Sequence, residues 1–348
     1  MKLRFKGTNE TADEAIDSLI ELAGGIRSPE IVREMILAAL IAGQEEKRNK
    51  ADLKLMNSTL KEMRFTSKVF GPYKNVRKVT VFGSARTRPE ERIYGMARDL
   101  GREIAEAEYM VITGAGPGIM QAVNEGAGPS HSFGVNIRLP FEQEANPVLK
   151  GHPRLIVYKY FFNRKIAFLK EAHAVVLFPG GFGTLDEAME TLTLVQTGKR
   201  DPIPLILVDE PGGTYWSQCI QFFRGQLLDE GYINDSDFYF FEQVDSVEKV
   251  LEKINHFYHR YHSLRYVDGR LVIRLTSSLD AASVQKLKED FGDILAPGGD
   301  LCLSGSLPAE ADEPEIAGLS RLVVDFDRRN FGRLRRLIDS INSYEARN

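Results

Sequence analysis

The sequence has 348 residues, of which 43% are hydrophobic and 27% are charged, so it can bury a full core and is not typical of a disordered chain. Its formal net charge of −4 argues against a protein that binds nucleic acid polymers, because such proteins normally carry a basic excess. No apolar run approaches the roughly 20 residues of a membrane span, and the first residues lack an apolar signal core, so we expect a cytoplasmic protein.

The first 72 residues predict a helical arm. Apolar residues recur there at helical spacing, Gly24-Gly25 ends the first helix, and Ser28-Pro29 begins the second. A third segment places Leu53, Met56 and Leu60 at steps of three and four residues, which suits packing on another helix.

Residues 73–262 predict a doubly wound, mostly parallel, Rossmann-like α/β domain. Short apolar runs alternate with helical stretches of about 10–20 residues, and several runs are apolar on both faces, as strands between two helix layers must be. The predicted strands are Val76–Phe82, Tyr109–Thr113, Ser132–Ile137, Leu155–Tyr158, Ala174–Phe178, Pro204–Val208 and Phe238–Phe241.

Residues 263–348 predict a small α+β domain at the C-terminal end. We expect strands at Leu271–Leu275, Asp300–Gly305 and Arg321–Asp327, and helices at Ala281–Phe291 and Phe331–Ile341. The organisation expected from the whole sequence is therefore a helical arm, a Rossmann-like domain and a C-terminal appendage.

Three of the central strands end in glycine-rich junctions. They are the segments 82–86 (FGSAR), 113–118 (TGAGPG) and 178–184 (FPGGFGT), and helices follow the second and third. In an open parallel sheet, ligands bind where strands end and helices begin, and glycine lets the backbone approach a phosphate closely. Glycine-rich sequence at the ends of three strands predicts an anion or nucleotide site.

The second junction is not a dinucleotide fingerprint. The pattern GxGxxG would need glycine at position 119, where this sequence has Ile119, and the next strand offers Asn136 and Arg138 rather than an acidic ribose ligand. We therefore expect a mononucleotide or a similar phosphate.

Four segments together resemble the LOG-like family, whose type members are cytokinin riboside 5′-monophosphate phosphoribohydrolases and which was long mislabelled "lysine decarboxylase". The segments are Gly83-Ser84, Gly114–Met120, Phe161–Lys165 and the complete PGGxGTxxE motif at Pro179–Glu187. The resemblance covers about residues 73–230 and implies hydrolysis of the N-glycosidic bond of a nucleoside 5′-monophosphate, without a cofactor or a metal.

The resemblance carries two catalytic residues over to Arg164 and Glu187. An anionic carboxylate can stabilise the oxocarbenium-like state of ribosyl C–N cleavage and deprotonate water, and an arginine can hold the carboxylate or the phosphate. Other residues of these segments and of the helix that follows are expected to bind nucleotide or phosphate: Gly83, Ser84, Gly114, Gly116, Gly118, Met120, Lys165, Gly180, Gly181, Gly183, Thr184 and Thr193.

The remaining histidines and cysteines do not indicate a further site. His256, His259 and His262 would point in different directions around a helix, so one metal ion could not easily bind all three. We therefore interpret them as part of an amphipathic helix rather than as a metal site. Cys219 and Cys302 lack CxxC spacing and are expected to be free thiols.

Three questions stay open on the sequence alone. The base that is released could be of the cytokinin type or an ordinary purine or pyrimidine. A non-catalytic carrier or sensor of a nucleotide or phosphorylated cofactor is the alternative from another class, although it would not need an intact Arg164 and Glu187 pair. The resemblance and the apolar arm also imply a homo-oligomer, at least a dimer.

Overall fold

A seven-stranded parallel sheet occupies the centre of the chain in the computed structural model, which describes residues 10–45, 50–139 and 144–344. The strand order is β4-β3-β2-β1-β5-β6-β7, and every pair of neighbours is parallel. The predicted Rossmann-like sheet is confirmed. Its strands are β1 (Lys78–Phe82), β2 (Met110–Thr113), β3 (Ser132–Ile137), β4 (Leu155–Tyr158), β5 (Ala174–Leu177), β6 (Leu205–Val208) and β7 (Glu242–Val244).

The chain divides into two units, 1–67 and 68–348. In the first unit, Ile16, Ile20 and Leu37 form a small apolar cluster of their own. The predicted helical arm is confirmed, with helices α1 (Glu10–Ala23), α2 (Pro29–Glu45) and α3 (Lys50–Phe70). None of the helices within the described ranges combines the length and the apolarity that a bilayer crossing requires.

Helices cover both faces of the parallel sheet. Along β5, Ala174 and Val176 pack into the core on one face, and Val175 and Leu177 pack into the core on the other. This alternation requires apolar residues at every position, as the sequence has them. The helices are α4 (Arg92–Glu106), α5 (Ile119–Ala127), α6 (Phe161–Glu171), α7 (Phe182–Gln196), α8 (Tyr215–Phe222) and α9 (Val247–Phe257).

The C-terminal part forms a separate antiparallel sheet, as expected of an α+β appendage. Its strand order is β10-β11-β9-β8, and helices α10 (Ala281–Phe291) and α11 (Phe331–Ser343) accompany it. One apolar core runs from the parallel sheet to this second sheet. The strands are β8 (Tyr261–Val267), β9 (Arg270–Leu275), β10 (Leu301–Ser304) and β11 (Ser320–Val324).

The prediction of a strand at Phe238–Phe241 is wrong. Residues Asp235–Phe240 form a 3₁₀ helix, and the strand of this region is the shorter β7 that follows it. Asn234 and Asp237 form a capping box, in which the Asn234 N–H donates to the Asp237 carboxylate at 3.0 Å. This cap stabilises a helical turn, and it outweighs the strand preference of the aromatic run.

The prediction of a helix through His262 is also wrong. Helix α9 ends at Phe257, and His262 lies in strand β8, which pairs with β9. Tyr258 and Tyr261 are both buried where the chain leaves the helix and enters the second sheet. The predicted boundary between residues 262 and 263 falls inside β8, and the division of 68–348 into two domains stays a prediction.

The order in which strands are added to the parallel sheet reverses between β1 and β5. Strands β2, β3 and β4 extend from one side of β1, and β5, β6 and β7 extend from the other. Connections therefore leave these two neighbouring strands towards opposite sides and open a crevice at their carboxyl ends. The first and third glycine-rich junctions follow β1 and β5, so the topology brings both to this crevice.

A buried ion network ties the second sheet to the loop that precedes β11. The Glu310 carboxylate is buried and accepts hydrogen bonds from Arg274 at 2.8 Å, Arg321 at 3.1 Å and the Leu307 N–H at 3.1 Å. Burial acts to raise the pKa of Glu310, but these donors lower it to about 2. The carboxylate is thus ionised across the physiological range.

We expect Glu310→Gln to lower the free energy of unfolding by about 3–5 kcal/mol, because it leaves Arg321 buried without its carboxylate. Urea unfolding followed by circular dichroism measures this. Asp312→Asn is the matched control, because its side chain is 64% exposed beside Arg265 and its loss should cost less than about 1 kcal/mol. Equal losses of unfolding free energy in both variants would contradict the stabilising role assigned to the buried Glu310 network.

Candidate active site

A cavity of about 830 Å³ lies at the carboxyl ends of the parallel strands, at the crevice between β1 and β5. All three glycine-rich junctions contribute to its wall, so the structure brings together segments that lie far apart in the chain. The predicted site residues that line it are Gly83, Ser84, Gly114, Gly116, Met120, Arg164, Gly180, Gly181, Gly183, Thr184 and Glu187.

Backbone hydrogen bonds join the three junctions at Ser84. Its N–H donates to the Pro179 carbonyl at 3.0 Å, and its carbonyl accepts from the Ile119 N–H at 3.0 Å. Gly118 has a φ of +68°, and a Cβ there would collide with the Ser84 carbonyl oxygen. Gly118 does not line the cavity but permits the close approach of two of its walls.

The third junction becomes a helix earlier than the sequence suggested. Helix α7 begins at Phe182, so Gly183 and Thr184 belong to its first turn rather than to a loop. The first N–H groups of a helix lack intrahelical partners, and the helix dipole adds positive potential there. The Tyr215 hydroxyl fixes the entry to this turn by donating to the Gly180 carbonyl at 2.6 Å. The arrangement can bind a phosphate.

A buried polar network supports the second junction. The Thr113 hydroxyl and the Asn146 amide both donate to the Asn124 side-chain oxygen, at 2.7 Å and 3.0 Å. The Ala115 N–H donates to the Thr113 hydroxyl at 3.0 Å, and Asn146 reaches the Gly116 carbonyl at 3.2 Å. These bonds hold the backbone of the glycine segment in place from behind the cavity wall.

The Glu187 carboxylate is the buried charge of this cavity. The residue is 2% exposed, and neither of its carboxylate oxygens has a hydrogen-bond partner among the described residues. Arg164 lies 3.9 Å and Lys165 3.5 Å from these oxygens. Burial raises the pKa of Glu187 to about 7, although the two cations act to lower it. A group with such a pKa can exchange a proton at neutral pH.

Arg164 is held between aromatic rings beside Glu187. Its guanidinium lies 4.9 Å from the centre of the Phe161 ring and 5.5 Å from that of Phe168. Burial lowers the pKa of Arg164, while Glu187 and Asp186 act to raise it. Its Nε atom is buried and has no hydrogen-bond partner within the described part of the chain. One donor and two acceptor oxygens beside the cavity therefore have no hydrogen-bond partner among the described residues.

Lys165 lies among carboxylates rather than in the cavity wall. Its ammonium group is 2.8 Å from Asp186, 3.5 Å from Glu187 and 2.6 Å from Glu190. Burial acts to lower the pKa of Lys165, but Asp186 and Glu190 raise it overall. The geometry suits a cation that stabilises Glu187 in its ionised form, whereas we predicted contact with the nucleotide.

Thr193 is a third predicted site residue, after Gly118 and Lys165, that does not line the cavity. It is exposed, and its hydroxyl donates to the Met189 carbonyl at 2.8 Å within α7. Its side chain borders a separate, smaller cavity of about 160 Å³. Because α7 begins at Phe182, Thr193 lies about three turns along the helix, and this distance carries it away from the glycine segments.

Sequence reasoning missed several residues of the wall. Phe161 lies in a segment that we quoted for its resemblance, and Asn136 lies near the end of a predicted strand, but neither was assigned to the site. Arg86 and Phe182 lie inside the first and third glycine-rich segments but were not assigned either, whereas Phe168 and Tyr215 come from positions without a motif. The missed polar and aromatic residues of the wall are Arg86, Asn136, Phe161, Phe168, Phe182 and Tyr215.

The histidine run does not form a metal site. Within residues 10–45, 50–139 and 144–344, no group of three or more His, Cys, Asp or Glu side chains could hold a metal ion. His256 lies in α9 and His262 in β8, so they belong to different elements. Cys219 and Cys302 are free thiols, as expected.

Comparison with known proteins supports the resemblance. Residues 119–254 match the family model described as "possible lysine decarboxylase". The probable cytokinin riboside 5′-monophosphate phosphoribohydrolase LOG4 of Oryza sativa subsp. japonica is 27% identical over 185 residues, which are 51% of this chain and 76% of that protein. The resemblance to the LOG-like family is therefore confirmed for about half of the chain.

The chain is also similar to two other proteins. The pyrimidine/purine nucleotide 5′-monophosphate nucleosidase of Escherichia coli K12 is 32% identical over 126 residues, which are 34% of this chain but only 28% of that protein. The molybdenum cofactor carrier protein of Chlamydomonas reinhardtii is a solved structure with 20% identity and a TM-score of 0.36, covering 51% of this chain and 94% of that one.

We expect Glu187→Gln to stabilise the folded protein at pH 8 and to have little effect at pH 5. A pKa raised from 4.5 to about 7 means that the folded state binds more protons than the unfolded state in this window. Stability therefore falls as the pH rises through it, by up to about 3 kcal/mol, and glutamine avoids the loss.

Thermal unfolding of parent and variant at both pH values measures this difference. Asp186→Asn is the control, because Asp186 is 56% exposed and its neutralisation should not reproduce the pH dependence. If Glu187→Gln were less stable than the parent at both pH values, the ionised Glu187 carboxylate would not destabilise the folded state, contrary to this prediction.

Proposed function

We propose that the protein hydrolyses the N-glycosidic bond of a nucleoside 5′-monophosphate and releases a free base and ribose 5-phosphate. The observation that carries this proposal is the buried Glu187 carboxylate, which lies beside Arg164 in a cavity whose wall also includes the start of helix α7. The printed names of the rice and Escherichia coli relatives, a phosphoribohydrolase and a nucleosidase, support the same reaction class.

The start of α7 is the proposed phosphate site. Gly180 and Gly181 leave the helix entry open, and Thr184 in the first turn supplies a hydroxyl donor at the cavity wall. Backbone N–H groups bind the phosphate without a cation, which agrees with an overall acidic protein. Binding energy from the phosphate then positions the ribose in front of the buried carboxylate.

Glu187 is the proposed catalytic residue at the sugar. As the C–N bond breaks, positive charge develops on the ribose, and an ionised carboxylate in a site of low dielectric constant stabilises that charge. The same carboxylate can accept a proton from the attacking water, because its raised pKa is close to neutral pH. The bond that forms joins the water oxygen to the anomeric carbon, and the electron pair of the broken bond leaves with the base nitrogen. That nitrogen gains the proton that water gave up, which completes the free base and returns the carboxylate.

Arg164 is proposed to hold the substrate or the carboxylate in place. Its contacts with the Phe161 and Phe168 rings restrict the guanidinium, and its buried Nε donor has no partner among the described residues. The base itself stays open, since an adenine-type cytokinin nucleotide and ordinary purine or pyrimidine monophosphates all carry the required phosphate and ribose. Chromatography after incubation with a panel of nucleoside monophosphates would identify it.

We also propose a homodimer with α6 and α7 near the interface. Phe162 and Ile166 on α6 are about half exposed, and Phe182 at the start of α7 is 92% exposed. Such an apolar surface beside the cavity suits contact with a second copy of this chain. The free thiols Cys219 and Cys302 support the further proposal of a cytoplasmic location.

We expect Glu187→Gln to retain binding of a nucleoside monophosphate while base release falls by about 10²–10³, because the stabilising charge is lost but the size is kept. Thr184→Val should mainly raise KM, since a phosphate donor acts equally in the ground and transition states. Arg164→Ala should weaken both binding and turnover. Release of free base, measured by chromatography, and equilibrium dialysis separate these effects.

Three results would decide against this mechanism. Full activity of Glu187→Gln would remove the carboxylate from it, and equal activity on nucleosides and on their monophosphates would remove the phosphate site. Tight binding of monophosphates without turnover of any of them would favour the non-catalytic carrier.

We expect kcat/KM to rise with pH through about 7, because Glu187 must be ionised in the free enzyme. The second ionisation of the substrate phosphate, near pH 6, produces a separate limb that any variant shares. The limb near 7 should vanish from the residual activity of Glu187→Gln, and its persistence there would assign it to another group.

We expect light scattering to give at least a dimer at micromolar concentration. Ile166→Glu should shift the protein towards the monomer, because it places a charge in the proposed interface. Tyr232→Glu is the control, since Tyr232 is 75% exposed and lies outside α6 and α7. A monomeric parent protein would overturn the proposed assembly.

A further inference from the structure

A second cavity, of about 980 Å³, lies at the amino ends of the parallel strands, which we call the amino edge of the sheet. Its wall includes residues just before the amino ends of β1, β5 and β6, such as Arg77, His173 and Ile203, and residues of β8 in the second sheet, such as His262. It is therefore distinct from the candidate active site, which lies at the carboxyl ends of the same strands.

Two half-buried arginines in this second cavity have no carboxylate partner. Neither Arg77 nor Arg200 forms an ion pair within 4.0 Å with any acidic side chain that the structure describes. The Arg77 guanidinium stacks over the Tyr258 ring at 4.2 Å and donates to the Tyr109 hydroxyl at 3.4 Å. Arg200 donates to the Ala172 carbonyl, while its Nε atom is buried without a described partner.

Three buried arginines of the same unit pair with carboxylates, whereas the buried Arg260 donates instead to the Ser277 hydroxyl at 3.0 Å and the Ile341 carbonyl at 3.3 Å. Arg274 and Arg321 pair with Glu310, and Arg335 pairs with Glu242 and Asp339. In the second cavity, the acidic lining residues Glu108 and Glu315 are exposed. Asp201 also lines it: burial raises the pKa of its carboxyl and Arg200 acts to lower it, but the two side chains form no ion pair within 4.0 Å. The half-buried arginines therefore keep a positive charge that a ligand can neutralise.

His173 adds an uncharged donor to this cationic wall. Its Nδ1 accepts the Lys78 N–H at 3.2 Å, so the neutral ring carries its proton on Nε2. Burial is the main cause that lowers the pKa of His173 to about 4, and the charges of Lys78, Arg200 and Arg77 act in the same direction. The ring is neutral at physiological pH, and the cations that surround it would all favour an anion nearby.

We propose that this cavity is a second ligand site, which binds the phosphate group of a phosphorylated small molecule between Arg77 and Arg200 with His173 Nε2–H as a further donor. Two guanidinium groups and an imidazole N–H match the several oxygens of a phosphate better than the two of a carboxylate. The volume suits a ligand of metabolite size. Tyr261 and His262 form part of the wall, so the second sheet completes the site.

The test uses inorganic phosphate as the probe and the full chain as the protein. Nuclear magnetic resonance of ¹⁵N-labelled histidine side chains follows His173, which lies away from the candidate active site and so reports on this cavity alone. We expect millimolar phosphate to shift the His173 resonances of the parent protein. Arg77→Gln with Arg200→Gln should weaken the apparent affinity about 10-fold or more, because charged hydrogen bonds are lost.

Lys199→Gln is the matched control. Lys199 is exposed, adjoins Arg200 in the chain and is not part of the cavity wall, so its loss removes one charge without removing a contact. An equal weakening in this control would assign the effect to general electrostatics and overturn the proposal. An unchanged affinity in the double variant would also overturn it.

The parent protein decides the matter if the double variant does not fold. No response of His173 to millimolar phosphate would then overturn the site, and a saturable response would support it. Base release from nucleoside monophosphates should be unaffected by Arg77→Gln with Arg200→Gln, because these residues lie at the other edge of the sheet. A parent protein without hydrolase activity would contradict the proposed function and leave this result standing.

Discussion

The burial of one carboxylate against two cations is the interaction on which the candidate site depends. Glu187 has no hydrogen bond from the described protein groups, and its charge is balanced only at 3.5 Å and 3.9 Å by Lys165 and Arg164. Direct hydrogen bonds would lower its pKa and occupy its oxygens, whereas complete isolation would leave it protonated. The looser arrangement keeps the group near its midpoint of ionisation at neutral pH and leaves both oxygens without a hydrogen-bond donor from the described part of the chain.

The arrangement around Glu187 follows from the topology more than from any local motif. Strands β1 and β5 are neighbours because the sheet reverses its order there, and this places the Ser84 and Gly180 segments side by side. The parallel sheet and the three glycine junctions were predictable from the residue pattern, and the resemblance to the LOG-like family pointed to the Arg164 and Glu187 pair. Apolar runs on both faces specify a buried strand, and glycine at several strand ends indicates close approach of the backbone.

The parts that escaped prediction depend on tertiary contacts or on turn signals that were not used. The aromatic run before β7 has strand propensity, but the Asn234 cap and burial of Phe240 give it a helical turn. Strand β8 could have been found, because Asp268-Gly269 is a two-residue hairpin signal and both residues have positive φ. The position of Lys165 among three carboxylates has no such signal, since it depends on how α6 packs beside α7.

The carboxyl ends and the amino ends of the parallel strands offer different groups for binding an anion. At the carboxyl edge, strand ends and helix starts provide N–H donors from the backbone, and these need only glycine and the right topology. At the amino edge the strands begin with no such helix starts, so positive charge must come from side chains such as Arg77 and Arg200. Arginines at this position are half-buried only if another element covers them. In this fold, β8 of the second sheet forms that part of the cavity wall. The second sheet therefore gives the amino edge a binding capacity that the parallel sheet lacks by itself.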